Sequence, residues 1–103
     1  MRNLTVSAIY HMPWLEYRHA TPDGRIVIRV RTARGDFDRV VLKTANHYNL
    51  SDPFGAGSLY EMHVQFRTKM FDYYEVIFSV RDPRLKYLFL LYADGGRVYK
   101  LDG

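Results

Sequence analysis

The side chains best suited to acid–base chemistry are carboxylates that fall at turns or on strand-like segments. They are Asp36, Asp38, Asp72, Glu75 and Asp82. A catalytic pair of carboxylates needs a cleft that separates their two pKa values, so that one group donates a proton while the other accepts one. Positions at turns and on strand faces do not provide such a cleft. We therefore interpret these residues as solvated surface carboxylates.

Other catalytic and metal-binding patterns are missing from the sequence. There is no cysteine, no Gly-x-Ser-x-Gly nucleophile elbow and no glycine-rich phosphate loop. Calcium could use loop oxygens such as those of Asn46 and Asp52, but no loop has the residue order of an EF-hand. The histidines also lack the spacing of a metal site; they are His11, His19, His47 and His63. The sequence therefore predicts no enzyme activity, no metal and no cofactor for this chain by itself.

Aromatic side chains are the remaining candidates for binding, and they form two groups. Those at strand-like spacing are predicted to pack in a core: Tyr74, Phe78, Tyr87 and Phe89. Those in loop-like segments could stack on the apolar faces of sugar rings: Trp14, Tyr17, Tyr48 and Phe54. They could equally fold back to close the end of a sandwich. The residues alone leave both interpretations open.

The elements that must position these side chains are strands, because the hydrophobic period is two almost everywhere. In residues 25–32, Ile26, Ile28 and Val30 are predicted to face a core, with Arg29 and Arg31 outward. A turn at residues 33–36 predicts a hairpin with residues 37–44. Further strands are predicted at residues 6–11, 59–67, 71–80, 84–92 and 97–101, with longer loops at 12–24 and 45–58. About seven strands over residues 1–103 predict one all-β domain, an antiparallel two-sheet β-sandwich of immunoglobulin-like type.

The composition limits the class of partner. A net charge of +4 allows a basic β-sheet domain that binds nucleic acid, and this is the alternative to a solvated basic sheet face. The basic residues are interspersed with carboxylates, and no glycine-flanked aromatic motif of the RNA-recognition type is present. No apolar run is long enough for a membrane helix or a signal peptide, so we expect no membrane partner and a cytoplasmic location. A structural or adhesion domain of immunoglobulin type fits the strands, but not the missing cysteines or the missing export signal.

Several short sequence segments, in this order, resemble those of a known family. They are Ala8-Ile9-Tyr10-His11 with Pro13, Ile28-Arg29-Val30-Arg31-Thr32, Asp36-Phe37-Asp38-Arg39-Val40, His47-Tyr48, Phe71-Asp72-Tyr73-Tyr74, and Arg84-Leu85-Lys86-Tyr87 with Phe89. Together they look like the N-terminal domain, carbohydrate-binding module family 34, of the cyclomaltodextrinase, neopullulanase and maltogenic amylase group. That group belongs to glycoside hydrolase family 13.

The resemblance implies a non-catalytic accessory domain of a longer α-glucan hydrolase. It implies a catalytic (β/α)8 barrel elsewhere in the same chain, an α-glucan or cyclodextrin ligand, and a homodimer partner. It implies no cofactor for this domain and leaves calcium open for the parent enzyme. Asn46-His47-Tyr48 stands where the family has Asp-x-Tyr, on a loop that reaches the partner's active site. Tyr48, His47, Trp14 and Phe54 are therefore the expected contacts to carbohydrate or to the partner's active site.

Overall fold

The computed structural model describes residues 4–12, 16–45, 55, 57–79 and 85–103. Eight strands lie within these residues. They are β1 (Arg18–Ala20), β2 (Arg25–Ala33), β3 (Arg39–Thr44), β4 (Leu59–Glu61), β5 (His63–Arg67), β6 (Phe71–Ser79), β7 (Tyr87–Tyr92) and β8 (Val98–Asp102). Short 3-10 turns occur at Val6–Ala8 and Asp94–Gly96. The all-β prediction is confirmed, with eight strands in place of about seven.

The strands form two antiparallel four-stranded sheets that pack face to face. The first sheet has the order β1-β2-β6-β5, and the second has the order β4-β3-β7-β8. Between them lies a core whose most buried members include Ile28, Val30, Leu42, Phe89 and Leu91, all fully buried. The predicted direction of the β2 side chains is confirmed, because Ile26, Ile28 and Val30 are buried while Arg29 and Arg31 remain partly exposed. The predicted core aromatics are also buried: Tyr74, Phe78, Tyr87 and Phe89.

The predicted hairpin between residues 25–32 and 37–44 is wrong. β2 and β3 lie in different sheets, and the connection between them arches across the edge of the sandwich. The Arg34 N–H donates to the Met70 carbonyl in the β5–β6 turn of the first sheet, whereas the Asp38 N–H donates to the Tyr92 carbonyl in β7 of the second. Gly35 makes the bend with a φ of 78°, a value that favours glycine. A turn signal alone cannot distinguish an arch from a hairpin.

The predicted single strand over residues 59–67 is divided at Met62. The Met62 side chain is buried, and its N–H donates to the Val40 carbonyl of the second sheet at 2.9 Å. β4 before it therefore belongs to the second sheet, while β5 after it belongs to the first. Because β5 is an edge strand, Val64 is exposed although it continues the apolar alternation.

The N-terminal segment also differs from its prediction as a strand. It forms a 3-10 turn followed by a single antiparallel bridge between Tyr10 and Arg31. Side chains fasten this segment to the sandwich: the Arg31 Nε donates to the Ala8 carbonyl, and the Thr5 N–H donates to Asp36 Oδ2 at 2.7 Å. The predicted loop at residues 12–24 in turn contains the short edge strand β1.

Two of the carboxylates predicted to be solvated are buried, which corrects that interpretation. Asp36 is 7% exposed and Asp72 is 1% exposed. Asp72 accepts from the Gly35 N–H and from Arg67 Nε, both at 2.9 Å. These partners replace the water that a buried carboxylate loses, so Asp72 holds the β2–β3 arch, while Asp36 holds the N-terminal segment through the Thr5 N–H. Asp38 is exposed, Glu75 is partly exposed, and Asp82 lies outside the described residues.

His11 joins the N-terminal segment to both sheets. Its Nδ1 lies 2.7 Å from the Arg29 carbonyl, which only accepts, so Nδ1 carries the proton. Its Nε2 lies 2.7 Å from the Tyr87 hydroxyl, and in the neutral ring it accepts from that hydroxyl. Burial lowers the pKa of His11 from its ordinary value of 6.5, and the charge of Arg18 adds to this effect, while the bond to the Arg29 carbonyl opposes it.

The free energy of unfolding should therefore fall on mild acidification. Because the folded-state pKa of His11 is lowered, the stabilisation that its neutral ring contributes is complete above its ordinary pKa of 6.5. This stabilisation is lost as the pH falls through the folded-state pKa. We expect His11→Gln to reduce the loss of stability between neutral and mildly acidic pH, measured by urea unfolding. His63→Gln is the matched control, because His63 is exposed on β5. If the free energy of unfolding of His11→Gln fell with pH as steeply as that of the wild type, this role of His11 would be contradicted.

Candidate glycan-binding groove

The residues expected from the sequence to contact carbohydrate cannot be placed. Trp14, His47, Tyr48 and Phe54 all lie outside the described residues. Tyr17 is the loop aromatic that the structure does describe. It lies beside β2, where its carbonyl accepts from the Arg29 N–H at 2.8 Å. From this position it helps to form a groove on the outer face of the first sheet.

We call this feature the aromatic groove. It has a volume of about 310 Å³, and its lining residues are Glu16, Tyr17, Arg29, Phe66 and Tyr73. Three stretches of chain thus contribute: the turn before β1, the strand β2, and the β5–β6 hairpin. Arg29 forms the floor, because its Nε pairs with Glu75 Oε2 at 2.6 Å and its Nη1 donates to the Glu16 carbonyl at 3.2 Å. The floor is therefore polar, and the guanidinium is held by two partners.

A bulge in β5 supplies one wall of the groove. Val64 pairs with Tyr74, whose side chain faces the core, but Phe66 pairs with Tyr73, whose side chain faces outward. The extra residue, Gln65, therefore turns Phe66 from the inner to the outer face. The Phe66 and Tyr73 rings stack with centroids 4.3 Å apart and an interplanar angle of 16°. Phe66 remains 47% exposed, so one flat aromatic surface is open to solvent.

The other wall is Tyr17, which packs against a cluster of aromatic rings and an arginine that lie beside the groove and do not line it. The Tyr10 ring meets the Tyr17 ring edge to face, with centroids 4.9 Å apart. The Arg31 guanidinium carbon lies 4.2 Å from the Phe71 ring centroid and 5.1 Å from that of Tyr10. Such contacts hold the guanidinium plane in one orientation. This wall is therefore preorganised by packing.

Tyr17 and Tyr73 bring phenol groups to the lining of the groove, and Tyr10 lies beside Tyr17. Burial raises the pKa of Tyr17, and the neighbouring Tyr73 adds to the rise, so the hydroxyl stays protonated at neutral pH. Within the part of the chain that the structure describes, no hydrogen bond engages the hydroxyls of Tyr10, Tyr17 or Tyr73. Neutral hydroxyls can both donate and accept, which matches the hydroxyl groups of a sugar. Exposed aromatic faces beside them match its apolar C–H surfaces.

The structure gives no arrangement for catalysis at this groove. Glu75 is held by Arg29, and Glu16 is exposed at the rim, so no pair of carboxylates faces a common space. Among the described residues, no group of three or more His, Cys, Asp or Glu side chains could hold a metal ion. Nor does any helix in these ranges have the length and apolar character needed to cross a membrane.

Acidic partners neutralise much of the basic sheet surface. Arg29 pairs with Glu75, and Arg39 pairs with Glu61. Two further pairs follow the same pattern, Arg25 with Asp23 and Arg67 with Asp72. A nucleic-acid interface needs arginines that are available to phosphate groups. This pairing argues against using the net charge as evidence for nucleic-acid binding.

Comparison with known proteins gives the family. The model of the family described as "Alpha amylase, N-terminal ig-like domain" matches residues 4–102, and the chain belongs to this family. A maltogenic alpha-amylase from Bacillus acidopullulyticus is 32% identical over 84 residues, which are 82% of this chain. A cyclomaltodextrinase from Thermoanaerobacter pseudethanolicus is 30% identical over 89 residues, or 86% of this chain. The chain spans 14% and 15% of the lengths of these two relatives.

Solved structures show the same fold. A cyclomaltodextrinase superposes with a TM-score of 0.78 at 24% identity, over 93% of this chain and 16% of that one. The type III pullulan hydrolase from Thermococcus kodakarensis gives a TM-score of 0.70 at 19% identity, over 90% of this chain and 14% of that one. The chain is therefore an N-terminal immunoglobulin-like domain of the alpha-amylase type, as its sequence phrases predicted.

Proposed function

We propose that this chain is a non-catalytic carbohydrate-binding and dimerisation module of an α-glucan hydrolase. The proposed substrates of the parent enzyme are cyclodextrin, pullulan and maltodextrin, and its catalytic barrel is proposed to lie elsewhere in the same polypeptide. The aromatic groove is the observation that carries the carbohydrate-binding part, and membership of the family supports it. The family and the relatives named above give no support to nucleic-acid binding.

The chemistry of the groove suits a short, neutral glucan segment. Phe66 and Tyr73 offer a flat stacking surface, and Tyr17 offers a hydroxyl group that is not engaged elsewhere in the described residues. The Phe66–Tyr73 stack and the paired Arg29 are formed without a ligand, so we expect little reorganisation on binding. One or two stacked rings offset only part of the cost of ordering a flexible sugar. We expect millimolar affinity, about −4 kcal/mol.

This proposal predicts localised binding of β-cyclodextrin. In an NMR titration, the largest shifts should fall on Tyr17, Phe66 and Tyr73. Tyr73→Ala should raise the Kd by about 3–10-fold, because one aromatic contact contributes about 0.5–1.5 kcal/mol. Tyr92→Ala is the matched control, since Tyr92 is a partly exposed tyrosine of the second sheet. Equal Kd values for wild type and Tyr73→Ala would contradict the groove as the binding site.

The dimerisation part of the proposal rests on Tyr48. We expect Tyr48, with His47 beside it, to reach the substrate cleft of the partner in the full-length dimer, and Trp14 and Phe54 to supply further sugar contacts. Tyr48→Ala in the full-length enzyme should lower kcat/KM for cyclodextrins by about 1–2 kcal/mol, with a smaller loss for Tyr48→Phe. Unaltered kinetics together with a lower melting temperature of the isolated domain would instead identify Tyr48 as a packing residue.

A further inference from the structure

His11 contacts two residues of the aromatic groove but does not line the groove itself. Its Nδ1 donates to the Arg29 carbonyl at 2.7 Å, and the Arg29 N–H donates to the Tyr17 carbonyl at 2.8 Å. Arg29 forms the floor of the groove, and Tyr17 forms one wall. Hydrogen bonds therefore connect the imidazole, through the floor, to this wall.

Ring contacts connect the same imidazole to the Tyr17 wall and to the core. The His11 and Tyr17 rings meet edge to face, with centroids 6.3 Å apart. Tyr10, the residue before His11, packs on Tyr17 with centroids 4.9 Å apart. The imidazole also lies 4.8 Å from the Phe89 ring and 5.5 Å from the Tyr87 ring, centroid to centroid. The position of the Tyr17 ring therefore depends on the segment that carries Tyr10 and His11.

The surroundings of His11 disfavour a positive charge on its ring. The Arg18 guanidinium carbon lies 5.5 Å from the centroid of the Tyr87 ring, and the hydroxyl of that tyrosine bonds to His11 Nε2 at 2.7 Å. A protonated imidazole would thus place two cations around one tyrosine. Its Nε2 would also carry a proton, so it could no longer accept from the hydroxyl.

The groups that face His11 come from three strands and a turn. Tyr17 lies in the turn before β1, Arg18 in β1 and Tyr87 in β7, and β2 contributes the Arg29 carbonyl. Among the described residues, no carboxylate pairs with the imidazole to compensate a charge there. Burial lowers the pKa of His11 and the Arg18 charge adds to this effect, so the ring is neutral at neutral pH.

We propose that His11 is a positioning residue that makes the aromatic groove sensitive to pH. As a neutral ring, His11 holds Tyr10 and Tyr17 against the sandwich. A protonated ring is repelled by Arg18, so residues 9–11 move outward and the Tyr17 wall loses its support. Glucan binding then weakens on acidification. This inference rests on the proposed function of the groove, but the Tyr17 wall can be followed without any sugar.

NMR spectra of the intact chain without sugar test the effect on the wall. The NOE contacts between the Tyr10 and Tyr17 rings should weaken on acidification with the same midpoint as the His11 ring signals, below pH 6.5. They should persist in His11→Gln, whose amide does not titrate. His63→Gln is the matched control and should behave like the wild type, because His63 is exposed on β5. Circular dichroism at each pH excludes global unfolding as the cause. Contacts that persist in the wild type, or weaken equally in His11→Gln, would overturn the proposal.

Binding of β-cyclodextrin tests the effect on the groove. Between neutral pH and about one pH unit below the His11 midpoint, the Kd of the wild type should rise about fivefold, at the lower end of the usual coupling between sites. The Kd of His11→Gln should stay constant. By linkage, saturating β-cyclodextrin should lower the His11 midpoint by about 0.7 pH units, which is the same fivefold factor.

The outcomes distinguish this inference from the proposed function. A wild-type Kd that is independent of pH would overturn the role of His11 and leave glucan binding at the groove intact. If β-cyclodextrin binds at no pH, the proposed carbohydrate binding is wrong. Loss of the contacts between Tyr10 and Tyr17 would in that case still establish that His11 positions the wall.

Arg18→Gln tests the repulsion on which the release depends. Without the Arg18 charge, the His11 midpoint should move to higher pH, because this charge helps to lower the pKa of His11. Arg25→Gln is the matched control, since Arg25 pairs with Asp23 at the surface and its removal should leave the midpoint unchanged. Equal midpoints in Arg18→Gln and Arg25→Gln would overturn this mechanism of release.

Discussion

Ile28→Asp should unfold the domain. Ile28 is fully buried between the two sheets, and its neighbour on β6 is Val76, which is also buried. Removing the isoleucine side chain forfeits about 1.5–3 kcal/mol of burial. The new carboxylate would have no partner in this apolar layer, which costs several kcal/mol more or forces the group to become neutral. A small domain has a total stability of about 5–15 kcal/mol, so little would remain.

The matched control for this prediction is Ile77→Asp. Ile77 lies on β6 next to Val76, but on the opposite face, and it is 43% exposed. An aspartate there stays hydrated, so the melting temperature should change by only a few degrees. Thermal unfolding followed by circular dichroism distinguishes the two variants. Similar melting temperatures for wild type and Ile28→Asp would mean that the inner and outer faces of β2 are exchanged.

Asp72→Ala should produce the second-largest loss of stability. The carboxylate is 1% exposed and holds the β2–β3 arch by accepting from the Gly35 N–H. Without it, that N–H loses its acceptor, which costs about 1–3 kcal/mol. Arg67 loses less, because its side chain is 56% exposed and water can replace the carboxylate. For a domain of this size, a loss of 1 kcal/mol lowers the melting temperature by roughly 4–8 °C.

Asp102→Ala tests whether this effect is specific to the buried site. Asp102 is exposed at the end of β8, and its removal should change the melting temperature by less than the error of most unfolding curves. Asp72→Asn should fall between the two, since an amide oxygen can still accept from Gly35 but carries no charge for Arg67. If Asp72→Ala and Asp102→Ala had the same stability, the arch would not depend on this carboxylate.

The sandwich could be predicted because its signals are local. The alternation of isoleucine and arginine in β2 defines both the strand and its inner face, and the strand aromatics extend the same pattern. The pairing of strands is harder to predict from the sequence, because it depends on contacts between residues that are distant in sequence. Turn residues precede β3 in the manner of a hairpin, yet the bonds of Arg34 and Asp38 to different sheets make an arch. Similarly, nothing around Met62 indicates that the chain changes sheet there.

Only part of the aromatic groove can be predicted from the sequence. Tyr17 is a loop aromatic in the sequence, and this is the one sequence signal that points to the groove. In a regular strand over residues 59–67, the period of two places Phe66 on the same face as Met62, which is buried. The bulge at Gln65 reverses that assignment, and a bulge has no reliable local signature in this stretch. Tyr73 follows from the β6 alternation, but its role depends on Phe66 and Tyr17 meeting it from two other parts of the chain.

The crossing at Met62 also bears on how the chain reaches its folded state. One continuous segment supplies the β4 edge of one sheet and the β5 edge of the other, so the assembly of the two sheets is linked at Met62. Both sheets also pair strands that are distant in sequence, such as β2 with β6 and β3 with β7. Folds dominated by such non-local pairings cross their barrier in about milliseconds to seconds, far more slowly than helical domains of equal size. We therefore expect this domain to fold in the slow part of the range for its size.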